Sequence, residues 1–204
     1  MQILMQKSLQ AYGEIQAAIN AAPTNWLRIE DLAARCAFFR NEVKSRRAER
    51  AILAPIGLTR DTFIRRQREM DPQLIKDLTR DLINYFVPST SVIVTGSDPT
   101  GLHIYVVEDG QVHCLDTIGF AAIGTGARHA QSQLMHAGYS PTAELSDTLS
   151  LIHAAKRRAE RAPHVGAGYD LFMVRPELGS YSPLRGPELL RTLDQSYARL
   201  VRLD

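Results

Sequence analysis

At Val87-Pro88-Ser89-Thr90 the chain changes texture, and that change confines it to a fold with separate helical and strand-forming stretches. Upstream, apolar residues recur at helical spacing with few β-branched runs; downstream come short β-rich runs bounded by turn residues. The expected class is therefore α+β, with an antiparallel sheet flanked by helices.

Leu4, Leu9, Tyr12, Ile15 and Ile19 mark a first amphipathic helix, closed at Ala22-Pro23-Thr24-Asn25. Leu32, Cys36, Phe39 and Val43 place an apolar stripe on a second helix, opened by Glu30-Asp31 and running to Leu53, before Pro55 and Gly57. Asp71-Pro72 starts a third helix, carrying Leu74, Ile75, Leu78, Leu82, Tyr85 and Phe86. Residues 1–86 are thus expected to form a helical region that packs on the sheet.

Ser91–Thr95 and Leu102–Val107 read as strands around the turn cluster Gly96–Gly101, and Asp109-Gly110 marks the next turn. Val112–Leu115 and Ile118–Ile123 supply two more short strands, which gives an antiparallel meander. Val92-Ile93-Val94 and Phe120-Ala121-Ala122-Ile123 are apolar at successive positions, so both sheet faces are expected to be covered. Ala127–His136 and a helix starting at Pro141-Thr142 are inserted before a last strand at Leu171–Val174, giving a core over 87–176. Residues 177–204 end in an amphipathic helix from Pro187 to Leu203.

The segment most suggestive of function is Gly119-Phe120-Ala121-Ala122-Ile123-Gly124-Thr125-Gly126-Ala127-Arg128-His129-Ala130, an apolar strand leading through a glycine-flanked Thr into a helix. Glycine permits positive φ or close backbone approach, and the hydroxyl of Thr125 sits at a helix start, where it either serves a site or caps the helix.

Other chemistries find little support. With 204 residues, 45% of them hydrophobic, the chain is long enough for a substantial core, and a net charge of +2 does not by itself imply a nucleic-acid or membrane partner. Cys36 and Cys114 lie far apart, without metal-ligand spacing, which fits buried thiols in a reducing compartment. No apolar run approaches the roughly 20 residues that span a bilayer, and the first residues do not form a signal peptide; cytoplasmic residence is the expectation. His103, His113, His129, His136, His153 and His164 lack ligand spacing, so neither a metal nor a cofactor is expected. The basic residues Arg40, Lys44, Arg46, Arg47, Arg50, Arg60, Arg65, Arg66 and Arg68 are interrupted by Glu42, Glu49, Asp61 and Glu69, a mixture that suits a solvated or salt-bridged face.

Val94-Thr95-Gly96-Ser97-Asp98, His103-Ile104-Tyr105, Gly119–Ala130 and Ala154-Ala155-Lys156 through Val165-Gly166-Ala167-Gly168-Tyr169-Asp170 together resemble the second half of a proteasome-type N-terminal-nucleophile (Ntn) hydrolase subunit. The resemblance covers residues 88–176 well and the preceding helical region more loosely. It implies an αββα sandwich, incomplete in this chain, a ring-shaped homo-oligomer, and amide hydrolysis of peptides. Such enzymes use a Thr, Ser or Cys whose free α-amino group takes the hydroxyl or thiol proton, which an internal Thr lacks. The resemblance assigns Thr125 a supporting role beside the nucleophile, and Glu160 or Asp170 the place of an acid near it; a steric need for glycine in the helix-to-strand turn is the competing account of Gly166–Asp170.

The chain begins Met1-Gln2 and passes directly towards the helix at Leu4, so either an N-terminally shortened version or a relative that has lost catalysis is expected, with no peptidase activity as residues 1–204. Three functions fit the sequence: a proteasome-like Ntn hydrolase homologue, inactive as residues 1–204; a non-catalytic ring or assembly subunit; and a small basic nucleic-acid-binding module. One sheet with helices on a single side would leave its other face apolar and wet, which costs about 25 cal/mol per Å². A missing sheet, a partner subunit or the chain's own helices must cover it.

Overall fold

The computed structural model describes residues 28–88, 90–175, 181–184 and 187–201. The helix expected over Leu4–Ile19 lies outside them. In chain order the described elements are α1 (Ile29–Ala48), α2 (Arg60–Arg66), α3 (Pro72–Ile83), β1 (Ser91–Asp98), β2 (Gly101–Glu108) and β3 (Gln111–Cys114), then α4 (Ala127–His136), α5 (Leu145–Ala159), β4 (Leu171–Val174), β5 (Tyr181–Leu184) and α6 (Pro187–Val201). The protein is α+β, with helices and antiparallel sheets.

Helix α1 carries Glu30 and Asp31 in its first turn and Arg46 and Arg47 in its last, both favourable to the helix dipole. It continues through one π turn, Glu49–Leu53, and a short 3-10 turn, Ala54–Ile56. The buried line on α1 is Ile29, Ala33 and Ala37, whereas Leu32 and Cys36 of the expected stripe are only partly buried at its edge. The reason is proximity: small side chains let the helix lie close on the sheet. Gly96 completes the fit, because a Cβ there would come within 2.6 Å of Ile29 Cδ1.

Strands β1, β2 and β3 form a meander in that order. The first turn is tighter than the sequence suggested, since Asp98 pairs directly with Gly101 and only Pro99 and Thr100 intervene. At the second turn Asp109 and Gly110 adopt φ of 48° and 78°, the left-handed pair of a type I′ hairpin. Pairing of Val94 with Tyr105 and of Val92 with Val107 puts these residues on one sheet face, where Val94, Tyr105 and Val107 pack on α1. Ile93, Thr95 and Ile104 face the other way.

A second cluster, Leu53, Phe63 and Leu78, gathers the turns after α1 with α2 and α3. Asp71 accepts from the Gln73 and Leu74 N–H groups at 2.8 and 3.0 Å and caps α3, with Pro72 in the first turn. That helix ends at Ile83, so Tyr85 and Phe86 lie beyond it. Helix α5 begins at Leu145, later than Pro141-Thr142 suggested. Strands β4 and β5 form a separate two-stranded sheet; β5 carries Pro183 and had no clear sequence signal.

Two expectations are corrected. Ile118–Ile123 is not a strand: residues 119–123 run without turn, bend or helix and, among the described residues, pair with no strand. Positive φ at Gly119 (78°) and Gly124 (85°) breaks strand geometry at both ends, and side chains of α4 and the loop after it take two of the carbonyls. Nor is the sheet fully covered, since Val92 on the α1 face is 45% and Leu102 on the other face 54% exposed. Among the described residues, no helix is long and apolar enough to cross a membrane.

Candidate functional site

The unpaired run forms part of the wall of a cleft of about 800 Å³. Ile93, Thr95 and Ile104 of the sheet face it from one side, and Leu134, Ile152 and Ala155 of the α4–α5 pair from the other. Its rim includes Lys156 and the segment from His164 to Gly168. The layers thus read α1, sheet, cleft, helix pair.

The two glycines of Gly124-Thr125-Gly126 act differently. Gly124 takes positive φ. Gly126 has an ordinary φ of −85° and is needed for close approach, because a Cβ there would meet Ala159 Cβ at 2.8 Å and its carbonyl oxygen at 3.0 Å. That contact holds the start of α4 against the end of α5. Thr125 is exposed and lines the cleft. It does not cap α4: Gly126 is the N-cap residue and no side chain caps the helix. Among the described residues, no base hydrogen-bonds the Thr125 hydroxyl. Lys156 lines the same cleft, but its Nζ donates to Glu160 Oε1 at 2.9 Å and to the Gly166 carbonyl. Burial would raise the Glu160 carboxyl, yet hydrogen bonds from Lys156 and Arg157 lower it below its ordinary value. Glu160 is therefore an anchored carboxylate. Asp170 is exposed just before β4 and is not part of the cleft wall.

Two polar clusters had no spacing signal in the sequence. In the first, Asp98 is buried at the end of β1 and accepts from the Ile29 N–H (3.0 Å), the Thr100 N–H (2.8 Å) and the Thr100 hydroxyl (2.6 Å). His103 Nε2 lies 3.2 Å from Asp98 Oδ1 and its Nδ1 2.7 Å from Asp116 Oδ2, while Asp116 Oδ1 accepts from the Ile104 N–H at 2.8 Å. Burial alone would raise Asp98, but the donated hydrogen bonds and the charge of His103 hold it well below the usual carboxylate range. The bond to Asp116 raises His103 above its ordinary value against the effect of burial, and Asp98 adds to the rise. One imidazole thus joins both hairpin strands to the loop after β3, and Asp98 joins them to the start of α1.

In the second cluster, buried His153 of α5 contacts Tyr169 Oη through Nδ1 and Asp194 of α6 through Nε2 at 3.0 Å. Arg157 also donates to Asp194, lowering that carboxyl. Neither histidine has ligand spacing in the sequence, and both hold elements together. Among the described residues, no group of His, Cys, Asp and Glu is arranged to hold a metal ion. Cys36 is half-buried and Cys114 exposed, so the expectation of buried thiols fails for Cys114, which lies on a strand edge. Several basic residues of α1–α3 find local acids, including Arg46 with Glu42, Arg66 with Glu69 and Arg80 with Asp77, and Arg40 reaches the Pro88 carbonyl and Asp109.

The fold and cleft define an α+β protein whose sheet and helix pair flank a glycine-bounded, unpaired segment. Over 84 residues, 41% of the chain, it is 36% identical to proteasome subunit beta 2 of Pyrobaculum calidifontis. Over the same length it is 37% identical to proteasome subunit beta 2 of Pyrobaculum neutrophilum. The similarity supports a relationship to the proteasome family, and the matched stretch spans 40% of the length of each of these relatives. No family model and no solved structure matches the chain.

Proposed function

We propose that this chain is a proteasome-like Ntn hydrolase homologue that supplies the supporting half of an αββα sandwich and, as residues 1–204, hydrolyses no peptide. The observation that carries this reading is the glycine-bounded segment Gly119–Gly126 at the cleft, in a chain with partial similarity to proteasome subunit beta 2. Hydrolysis of this kind needs a hydroxyl or thiol beside a free amine that takes its proton. Thr125 has its nitrogen in a peptide bond, and Lys156, the one lysine among the described residues that line the cleft, is held by Glu160 and Gly166. Thr125 therefore positions a neighbouring group rather than attacking. Self-association into a homo-oligomer is part of this reading, since the relatives are named as subunits, and the apolar cleft favours an assembly role as the second reading.

The test is turnover of a fluorogenic peptide by purified residues 1–204, with and without a Thr-directed covalent inhibitor. No turnover above buffer is expected. Turnover abolished by the inhibitor overturns the proposal.

A further inference from the structure

The basic residues between Lys44 and Arg68 are only partly neutralised by the fold. This stretch holds eight Lys and Arg side chains against Glu49 and Asp61, an excess of six positive charges in a chain whose net charge is +2. Arg46 pairs with Glu42 and Arg66 with Glu69. Among the described residues, Lys44, Arg47, Arg50, Arg60, Arg65 and Arg68 form no ion pair. All but Arg47 are exposed, and Arg47 is half-buried. Glu49 does not neutralise a side chain, because its Oε1 accepts from the Arg60 N–H at 3.1 Å.

Two connected arms carry these cations. Lys44 and Arg47 lie three apart on α1, and Arg50 lies in the π turn that continues it. Arg60 and Arg65 lie on α2, and Arg68 in the 3-10 turn Gln67–Glu69 that follows. Leu53 of the first arm and Phe63 of the second are buried in one cluster with Leu78, and the bond from Arg60 to Glu49 ties the arms again. Like charges held together weaken the compact state, and a bound polyanion relieves them.

We propose that these two arms bind the phosphate backbone of a nucleic-acid duplex without reading its sequence. Seven of the eight cations are Arg, whose planar fork grips phosphate through paired hydrogen bonds. A single strand is the poorer ligand, because its bases stack on exposed rings, and Phe63, the one aromatic residue of the stretch, is buried. An anionic membrane is poorer too. Adsorption there needs an apolar face sunk among the lipids, whereas here Leu53 and Phe63 turn into the core and Ile56 and Ile64 are the exposed large apolar residues that remain. A second copy is poorly matched, because its Asp98, Asp116, Glu160 and Asp194 are engaged within its own polar clusters. None of the six free cations lines the cleft, so duplex binding and peptide hydrolysis stand or fall independently.

The probe is a fluorescein-labelled DNA duplex of about 20 base pairs, titrated with residues 1–204 and followed by fluorescence anisotropy from about 50 to about 200 mM salt. With about four to six phosphates neutralised, log K is expected to fall against log salt with a slope of about −3.6 to −5.4, a loss of roughly 10²–10³-fold over that range. A duplex of the same length and different sequence is expected to bind equally, because phosphates carry no base identity. Arg65→Ala with Arg68→Ala, and separately Lys44→Ala with Arg47→Ala, are each expected to make the slope shallower by about 2 and to keep the far-ultraviolet circular dichroism of the original chain. The two pairs lie on different arms, so misfolding of one leaves the other to decide. Arg128→Ala with Arg191→Ala, which removes exposed cations of α4 and α6, is expected to leave the slope unchanged. No binding at about 50 mM salt, an affinity insensitive to salt, or full affinity in both arm variants overturns the proposal. Tighter binding of the single strand overturns it in favour of base stacking, and tighter binding of phosphatidylserine vesicles in favour of a membrane surface.

Discussion

Replacing Asp98 by Ala tests whether its carboxylate is the pin between α1 and the β1–β2 hairpin. The side chain is 2% exposed and accepts from Ile29, Thr100 and His103. Loss of a helix-capping acceptor at Ile29 costs about 1 kcal/mol. Loss of a hydrogen bond to a charged acceptor costs about 1.5–3 kcal/mol, and a buried donor left unpaired adds to it. These terms overlap, since water reaches part of the turn once the carboxylate is gone, and a combined loss of about 3–5 kcal/mol is expected. Asp98→Asn keeps the shape and one acceptor oxygen, so it should fall roughly midway between Asp98→Ala and the original chain. For a chain of this size, each kcal/mol lowers the melting temperature by about 2–4 °C, which places Asp98→Ala roughly 6–20 °C below the original. Urea unfolding followed by circular dichroism measures the free-energy change, and His103→Ala together with Asp98→Ala closes a double-mutant cycle. Strong non-additivity is expected because the two side chains touch. An Asp98→Ala midpoint that implies a loss under about 1 kcal/mol, or additive single and double variants, would refute the pin.

Gly126→Ala should destabilise the α4–α5 contact by about 1–3 kcal/mol, since the new methyl meets the Ala159 Cβ and backbone oxygen rather than a flexible side-chain end; thermal melts of the variant within 1 °C of the original would contradict this. His103 should titrate above its ordinary value of 6.5, read by NMR of its ring protons. Its folded form holds the proton more tightly than the unfolded chain, so its contribution is complete below 6.5 and is lost as pH rises through the folded value. Asp98 and Asp116 act in the opposite sense, with stabilisation complete above 3.8 and lost as pH falls through their lowered folded values. His103→Asn should therefore remove stability between those limits and flatten the alkaline decline; an unchanged alkaline profile would count against His103 as its source.

The helices α1, α3, α4 and the strands of the first hairpin were legible because their causes are local. Asp71-Pro72 caps a helix wherever it lies, Asp109-Gly110 forms a type I′ turn, and helical spacing of apolar residues shows where the helices run. Gly124 could likewise be assigned to a special backbone position from residue type alone. Other features depended on neighbours distant in sequence. Which face of α1 is buried was decided by how closely the sheet approaches, so Ala33 and Ala37 displaced the larger residues of the apparent stripe. Phe120–Ile123 is apolar at every position, as a strand buried on both faces would be, yet a strand exists only when another chain segment offers its hydrogen bonds.

The polar clusters show the same division. His103, Asp98 and Asp116 are separated by turns whose geometry brings them together, and His153 and Asp194 sit on different helices 41 residues apart. No regular spacing announces such contacts, because they arise when elements pack. By itself the sequence determined the α+β class, the hairpin turns and the glycine-bounded segment, all of which follow from propensities and backbone sterics acting over a few residues. Only the tertiary structure decided that this segment is a wall of an apolar cleft, that no base among the described residues hydrogen-bonds Thr125, and that the buried Asp98 and His153 fasten elements together. Those outcomes depend on what lies across a gap from each group, and distance in space is not written in distance along the chain.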